Sequence, residues 1–107
     1  MRIDRFTSKL QTAVADAQSL AVGRDHNYVT PAHLLMAMFE QKGGSTKPLL
    51  AQMGVDTAAY RAGLSEVLDQ LPVVQDNYGD IQLSPELGRL FNLVDKYAQQ
   101  RGDQFIS

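Results

Sequence analysis

The chain has no cysteine, so neither a disulfide framework nor a thiolate metal site is available, and the composition suits a reducing compartment. Strong positive charge is missing as well. The formal net charge is −2, which excludes a general nucleic-acid binder, because no basic stripe exists to meet phosphates. No apolar run approaches the ~20 residues that a membrane span requires. The opening MRIDRFTSKL carries basic residues without an apolar stretch behind them, so it does not read as a signal peptide. Segments of strict period-two alternation are also scarce, and the strand signal is poor throughout. What is present suits one folded domain: 107 residues, 44% apolar and 21% charged, enough to bury a core and far from a disordered composition.

The chain is organised around Phe6 to Thr30, FTSKLQTAVADAQSLAVGRDHNYVT. Thr7 is placed to cap a helix whose Leu10, Ala13, Val14, Ala17, Leu20 and Ala21 recur at helical spacing. Gly23 is expected to end it in the left-handed conformation, followed by the polar connection Arg24 to Asn27. The plan returns 77 residues later, from Leu83 to Ser107. At that offset Leu10 falls on Leu87, Ala13 on Leu90, Val14 on Phe91, Ala17 on Val94, Leu20 on Tyr97 and Ala21 on Ala98. Any two amphipathic helices can be slid into phase. The tail is more specific: Arg24 falls on Arg101, Tyr28 on Phe105, Val29 on Ile106 and Thr30 on Ser107. A duplicated unit follows, with repeat one at about 6–71, a linker at 72–82 and a truncated repeat two at 83–107.

Between these units Thr30-Pro31 starts a second helix, with Pro at the first helical position where its missing N–H costs nothing. Leu34, Leu35, Met38 and Phe39 form its apolar face and Gly43-Gly44 stops it. A short third helix, Lys47 to Met53, presents Leu49, Leu50 and Met53. The fourth is capped by Asp56 and carries Tyr60, Leu64, Val67, Leu68 and Leu71 up to Pro72. Its Gly63 costs ~1 kcal/mol of helix propensity relative to Ala, which suggests close packing there. The stretch 72–82 reads as a crossing loop in which Val73-Val74 and Ile81 could make a short extended pair. Ser84-Pro85 repeats the cap-plus-proline signal, and the fifth helix runs to about Arg101 with Leu87, Leu90, Phe91, Val94 and Ala98 inward. The fold class is all-α. Ser107 holds the capping position of Thr30, and a cap without its helix has no structural reason to exist. The native polypeptide is therefore expected to continue, and without that continuation the chain should be less stable or covered by another copy of itself.

Catalytic chemistry finds little support. Gly43-Gly44-Ser45-Thr46-Lys47 lacks the Gly-Lys-Ser/Thr order and the preceding strand of a phosphate loop. His26 and His33 are the only histidines; with no third convergent ligand they read as solvated or capping residues rather than a metal site. Asp16 and Asp95 read as solvated charges. A binding surface has more material. Leu93 falls off the core face of the fifth helix, with Leu90 and Tyr97 on its flank. Leu93 either packs under the 72–82 loop or later helices, stands singly exposed, or lines an apolar groove with Ala13 and Ala17, whose small side chains would leave room. Such a groove suits extended apolar segments of unfolded chains.

The blocks MRIDRFT, ADAQSLA, TPAHLL, the GGS at Gly43 to Ser45 and DKYAQQRGDQFIS resemble the Clp amino-terminal domain, most closely that of the bacterial ClpB-type disaggregases, in one register over the whole chain. The resemblance implies a duplicated four-helix unit with pseudo-twofold symmetry, of which the second copy's later helices are not in this sequence. It implies a cytoplasmic parent chaperone, a hexameric AAA+ ring working with the DnaK system, whose ATP and magnesium belong to ATPase modules absent here. It implies no cofactor in this domain, no enzymatic activity of its own, and unfolded or aggregated polypeptides as partners, with Thr7 and Asp103 at positions implicated in engaging them. The rival reading is an adaptor-docking domain of a Clp unfoldase that feeds a peptidase. A spacer or self-association domain is the third.

Overall fold

A computed structural model describes residues 7–41, 43–44, 46–74 and 81–102. Its elements are α1 (Ser8–Gly23), β1 (Tyr28–Val29), α2 (Pro31–Glu40), α3 (Thr46–Gln52), α4 (Thr57–Asp69), β2 (Gln82–Leu83) and α5 (Pro85–Arg101). The caps are those the sequence predicts. Thr7 Oγ accepts from the Leu10 N–H at 3.3 Å, Asp56 from Ala59 at 3.1 Å and Ser84 from Leu87 at 3.1 Å, each satisfying a donor that has no partner inside its helix. Thr7 and Ser84 stand 77 residues apart and each serves the N–H three residues on. α1 and α5 therefore begin with the same cap geometry.

α2 is the shared wall of two cores. Leu34 and Ala37 face one, with Ala13, Val14, Ala17 and Ala21 of α1, Val29 of β1, and Leu87, Phe91 and Ala98 of α5. Met36 and Phe39 face the other, against Leu64 and Leu68 of α4. Phe39 also stacks on Tyr60 at a centroid distance of 5.5 Å. The alanines of α1 let α2 approach closely, and the larger Leu87 and Phe91 of α5 fill the space from the far side. α3 has no buried residue.

Four expectations need correction. The helical class holds, yet the described residues include one parallel strand pair: Tyr28 opposite Gln82 and Val29 opposite Leu83. Val73, Val74 and Ile81 form no such pair. Instead the Val74 N–H donates to the Asp25 carbonyl at 2.8 Å, tying the segment after α4 to the turn after α1. Two-residue strands are too short to carry an alternating pattern. Gly23 is the last helical residue of α1, and the positive φ of that turn belongs to Asp25, at 58°; aspartate tolerates this conformation better than most residues. Gly63 has open space, not a close neighbour, where its side chain would be. Leu90 points outward, 42% exposed, although its counterpart Ala13 is buried.

Candidate functional site

The first turn of α1 and the turn after α2 are tied at two points. Lys9 Nζ donates to the Gly43 carbonyl at 2.6 Å, and Gln41 Nε2 donates to the Lys9 carbonyl at 2.7 Å. Gly43 has a φ of 70°, and a side chain on Gly44 would press to 3.2 Å from the Gln41 carbonyl, so this turn needs its glycines. Behind the tie opens a cavity of about 690 Å³. Its walls are mainly apolar: Leu10 of α1, Leu35 and Met38 of α2, Leu49 and Leu50 of α3, and Tyr60 of α4, with Thr7 at the mouth. Among the described residues Lys9 is the one charged residue in its lining. α3, a helix of seven residues between Gly43-Gly44 and Gly54 with no fully buried residue, contributes Leu49 and Leu50 to this wall, and Leu50 also packs against the core between α2 and α4.

A second cavity, about 370 Å³, lies where α1 meets α2 and α4 and is charged. Arg24 pairs with Asp69 at 2.6 Å, and Arg61 Nε donates to Glu40 at 2.7 Å. Its cations are thus matched by carboxylates. A third, shallow depression carries Ser8, Thr12, Asp16 and Glu40. Asp16 is exposed, as expected of a solvated charge.

On α5, Leu90, Leu93 and Tyr97 are 42%, 50% and 59% exposed and recur at helical spacing along one outward stripe. They do not meet Ala13 and Ala17 in a groove. Ala17 is fully buried and Ala13 nearly so; the room beside their methyl groups is taken by the core that Leu87 and Phe91 complete. Ala13 borders the α1–α3 cavity, and none of the three cavities includes a residue of α5. Thr7 and the α5 stripe are therefore separate features. Asp103 lies outside the described residues. The cavity residues Leu35, Met38, Leu49, Leu50 and Tyr60 were not singled out by sequence as binding residues. The available signal was α3 itself, a short helix that leaves Leu49 exposed.

The histidines depart from the sequence reading. His26 is 3% exposed and His33 not at all. His26 Nδ1 and His33 Nε2 are 2.8 Å apart. The Thr30 N–H donates to His33 Nδ1 at 2.9 Å, so His33 does cap its helix, standing where Glu or Gln stands in the usual capping box. Burial, then the neighbouring His26 and Arg24, lowers the His33 pKa to about 4. His26 is also lowered, by burial first and Arg24 second, against an opposing pull from Asp25. Among the described residues no group of three or more His, Asp or Glu could hold a metal ion. No described helix is long and apolar enough to cross a membrane.

Comparison with known families decides what this fold is. The family model described as the Clp repeat (R) N-terminal domain matches residues 5–107. The chain belongs to that family. Among curated relatives of this Clp domain, the chaperone protein ClpB of Pseudomonas putida is 60% identical over all 107 residues. That match spans 12% of the length of the Pseudomonas protein. The Hsp104 N-terminal domain from Candida albicans superposes with a TM-score of 0.85 at 20% identity, over 94% of this chain and 66% of that one. A solved structure described as a peptide from the EAEC T6SS Sci1 SciI protein matches with a TM-score of 0.86 at 26% identity, over 97% of this chain and 65% of that one.

Proposed function

We propose that this Clp N-terminal domain engages unfolded or aggregated polypeptides on behalf of a ClpB-type chaperone that disaggregates stress-denatured proteins. The observation that carries the reading is the cavity between α1 and α3. It is open, mainly apolar, and at about 690 Å³ large enough to seat bulky side chains of an extended segment. The stripe of Leu90, Leu93 and Tyr97 offers a second apolar contact, one of loose geometry suited to many sequences. Thr7, at the cavity mouth, and Asp103 are the family positions carried into this reading. Likeness to ClpB over the whole chain supports it, as does the SciI peptide named for one structural neighbour. In the parent, a cytoplasmic hexameric AAA+ ring would supply ATP hydrolysis with magnesium and would work with the DnaK system, so this domain needs no cofactor and catalyses nothing.

The rival, adaptor docking for a peptidase-feeding unfoldase, draws on the charged face built from Arg24–Asp69 and Arg61–Glu40. An amide chemical-shift titration with an unfolded model protein separates the two. Shifts at Leu49, Leu50 and Tyr60, and at Leu90, Leu93 and Tyr97, support polypeptide engagement. Shifts confined to the charged face, or none, sink it. Leu49→Asp should weaken binding about tenfold or more while the fold is retained, because Leu49 is 56% exposed.

A further inference from the structure

The segment between α1 and α2 is where the separate parts of the molecule meet. Arg24 binds Asp69 of α4. The Asp25 carbonyl takes the Val74 N–H from the segment after α4. Val29 pairs with Leu83, and its carbonyl takes the Ser84 N–H at 2.8 Å, one residue before α5 begins. The segment is residues 24–30, between the end of α1 and the start of α2, and the two imidazoles fasten it from inside.

The direction of their hydrogen bonds is set by the backbone. A backbone N–H can only donate, so His33 Nδ1, which receives the Thr30 N–H, carries no proton. In a neutral ring the proton is then on Nε2, which donates to His26 Nδ1 across 2.8 Å. His26 Nδ1 is bare in turn. Thr30 Oγ lies 2.8 Å from His33 Nδ1 as well. Each added proton breaks this chain. On His33 Nδ1 it opposes the Thr30 N–H, donor against donor. On His26 Nδ1 it opposes the His33 Nε2–H. Moving the His33 proton to Nδ1 relieves that second clash, with Thr30 Oγ as acceptor, but again leaves the Thr30 N–H without its partner. No protonated arrangement keeps every bond, and both rings are buried where a lost partner is costly.

We propose that the His26–His33 pair is a proton-controlled latch, closed while both rings are neutral, that fastens the α1–α2 segment and through it β2 and the start of α5. Opening it frees Val29 and Ser84 and loosens α5 from the first core. Among the described residues the charged groups facing the pair are Arg24 and Asp25 from the turn after α1 and, through its bond to Arg24, Asp69 from α4. Arg24 opposes protonation of both rings, and Asp25 favours it at His26. The latch does not depend on the polypeptide-binding reading.

The test is a ¹⁵N titration of the imidazoles in the unsubstituted protein, with the Val29, Val74 and Ser84 amides followed in the same samples. The expected result is that near pH 7.5 His33 is protonated at Nε2 and bare at Nδ1. Both rings should then take up protons below the ordinary histidine value of 6.5, with the three amides moving at the same midpoint. Ring midpoints at the ordinary value, or amides that stay still while the rings titrate, would overturn the latch. His33→Gln provides a second arm. The amide oxygen can accept from Thr30 N–H and the amide nitrogen can donate to His26, so the joint is kept while one titrating ring is removed. The acid movement of the three amides should shrink at least several-fold. If it is unchanged, carboxylates drive it and the latch is refuted. Should the variant not fold at neutral pH, the titration of the unsubstituted protein decides alone.

Discussion

A methyl group placed on Gly63 meets nothing within 4 Å, and the residue lies on the exposed side of α4. Glycine there costs conformational entropy and returns no packing. Gly63→Ala should therefore stabilise the domain by about 0.5–1 kcal/mol, read as a rise in the urea midpoint; a fall would contradict the open space beside Gly63. Leu87 and Leu93 make the opposite pair. Both are leucines on α5, one 1% and the other 50% exposed. Leu87→Ala should cost roughly 2–5 kcal/mol through the lost burial and the cavity left behind. Leu93→Ala should stay within about 0.5 kcal/mol yet weaken polypeptide binding. If both variants proved equally destabilising, the outward assignment of Leu93 would be wrong. Thr7 joins two roles at the same scale, since its cap and its place at the cavity mouth are inseparable, and a binding loss in Thr7→Ala needs a stability measurement beside it.

At the scale of elements, Ser84 does more than cap. Its hydroxyl accepts from Leu87 while its backbone N–H reaches the Val29 carbonyl, so α5 is started and attached to β1 by one residue. Ser84→Ala removes the first bond and leaves the second, at a cost of about 1 kcal/mol, visible as weaker exchange protection in the first turn of α5. A loss confined to α4 would contradict this. α2 explains how the described helices share so few large residues: its two faces serve separate cores, and α3 adds only the partly buried Leu50 to one of them. The caps and the order of the helices were legible in the chain because each is a local pattern of three to four residues. The β1–β2 pair was not, since nothing in two residues announces a partner more than fifty positions away. The groove expected between α5 and the small residues of α1 fails for a related reason. Small side chains permit close approach as readily as they leave space, and here Leu87 and Phe91 close the gap.

Across the whole molecule the buried His33 couples stability to pH. Its pKa falls from the ordinary 6.5 to about 4 on folding, so between those values the unfolded chain binds more protons than the folded one. Stability then rises with pH through that window: it is fully present above about 6.5 and is lost as pH falls toward about 4. Chemical denaturation at pH 7.5 and pH 5 should differ by on the order of 2 kcal/mol from this ring. A flat profile over that range would mean that His33 is not held neutral.

Taken alone, the sequence determined the helical class, the positions of the caps and the resemblance to the Clp amino-terminal domain, because each is written in short-range spacing or in contiguous blocks of residues. The exposure of Leu93 and Tyr97 was left open by the sequence and was decided by the packing of α5. The tertiary structure alone decided which apolar residues remained for a ligand. Residues far apart in the chain, Leu10, Met38, Leu50 and Tyr60, border one space only after α1 to α4 have packed. It likewise turned two polar-looking histidines into a buried, hydrogen-bonded pair, since burial belongs to a side chain's neighbours and not to its own identity.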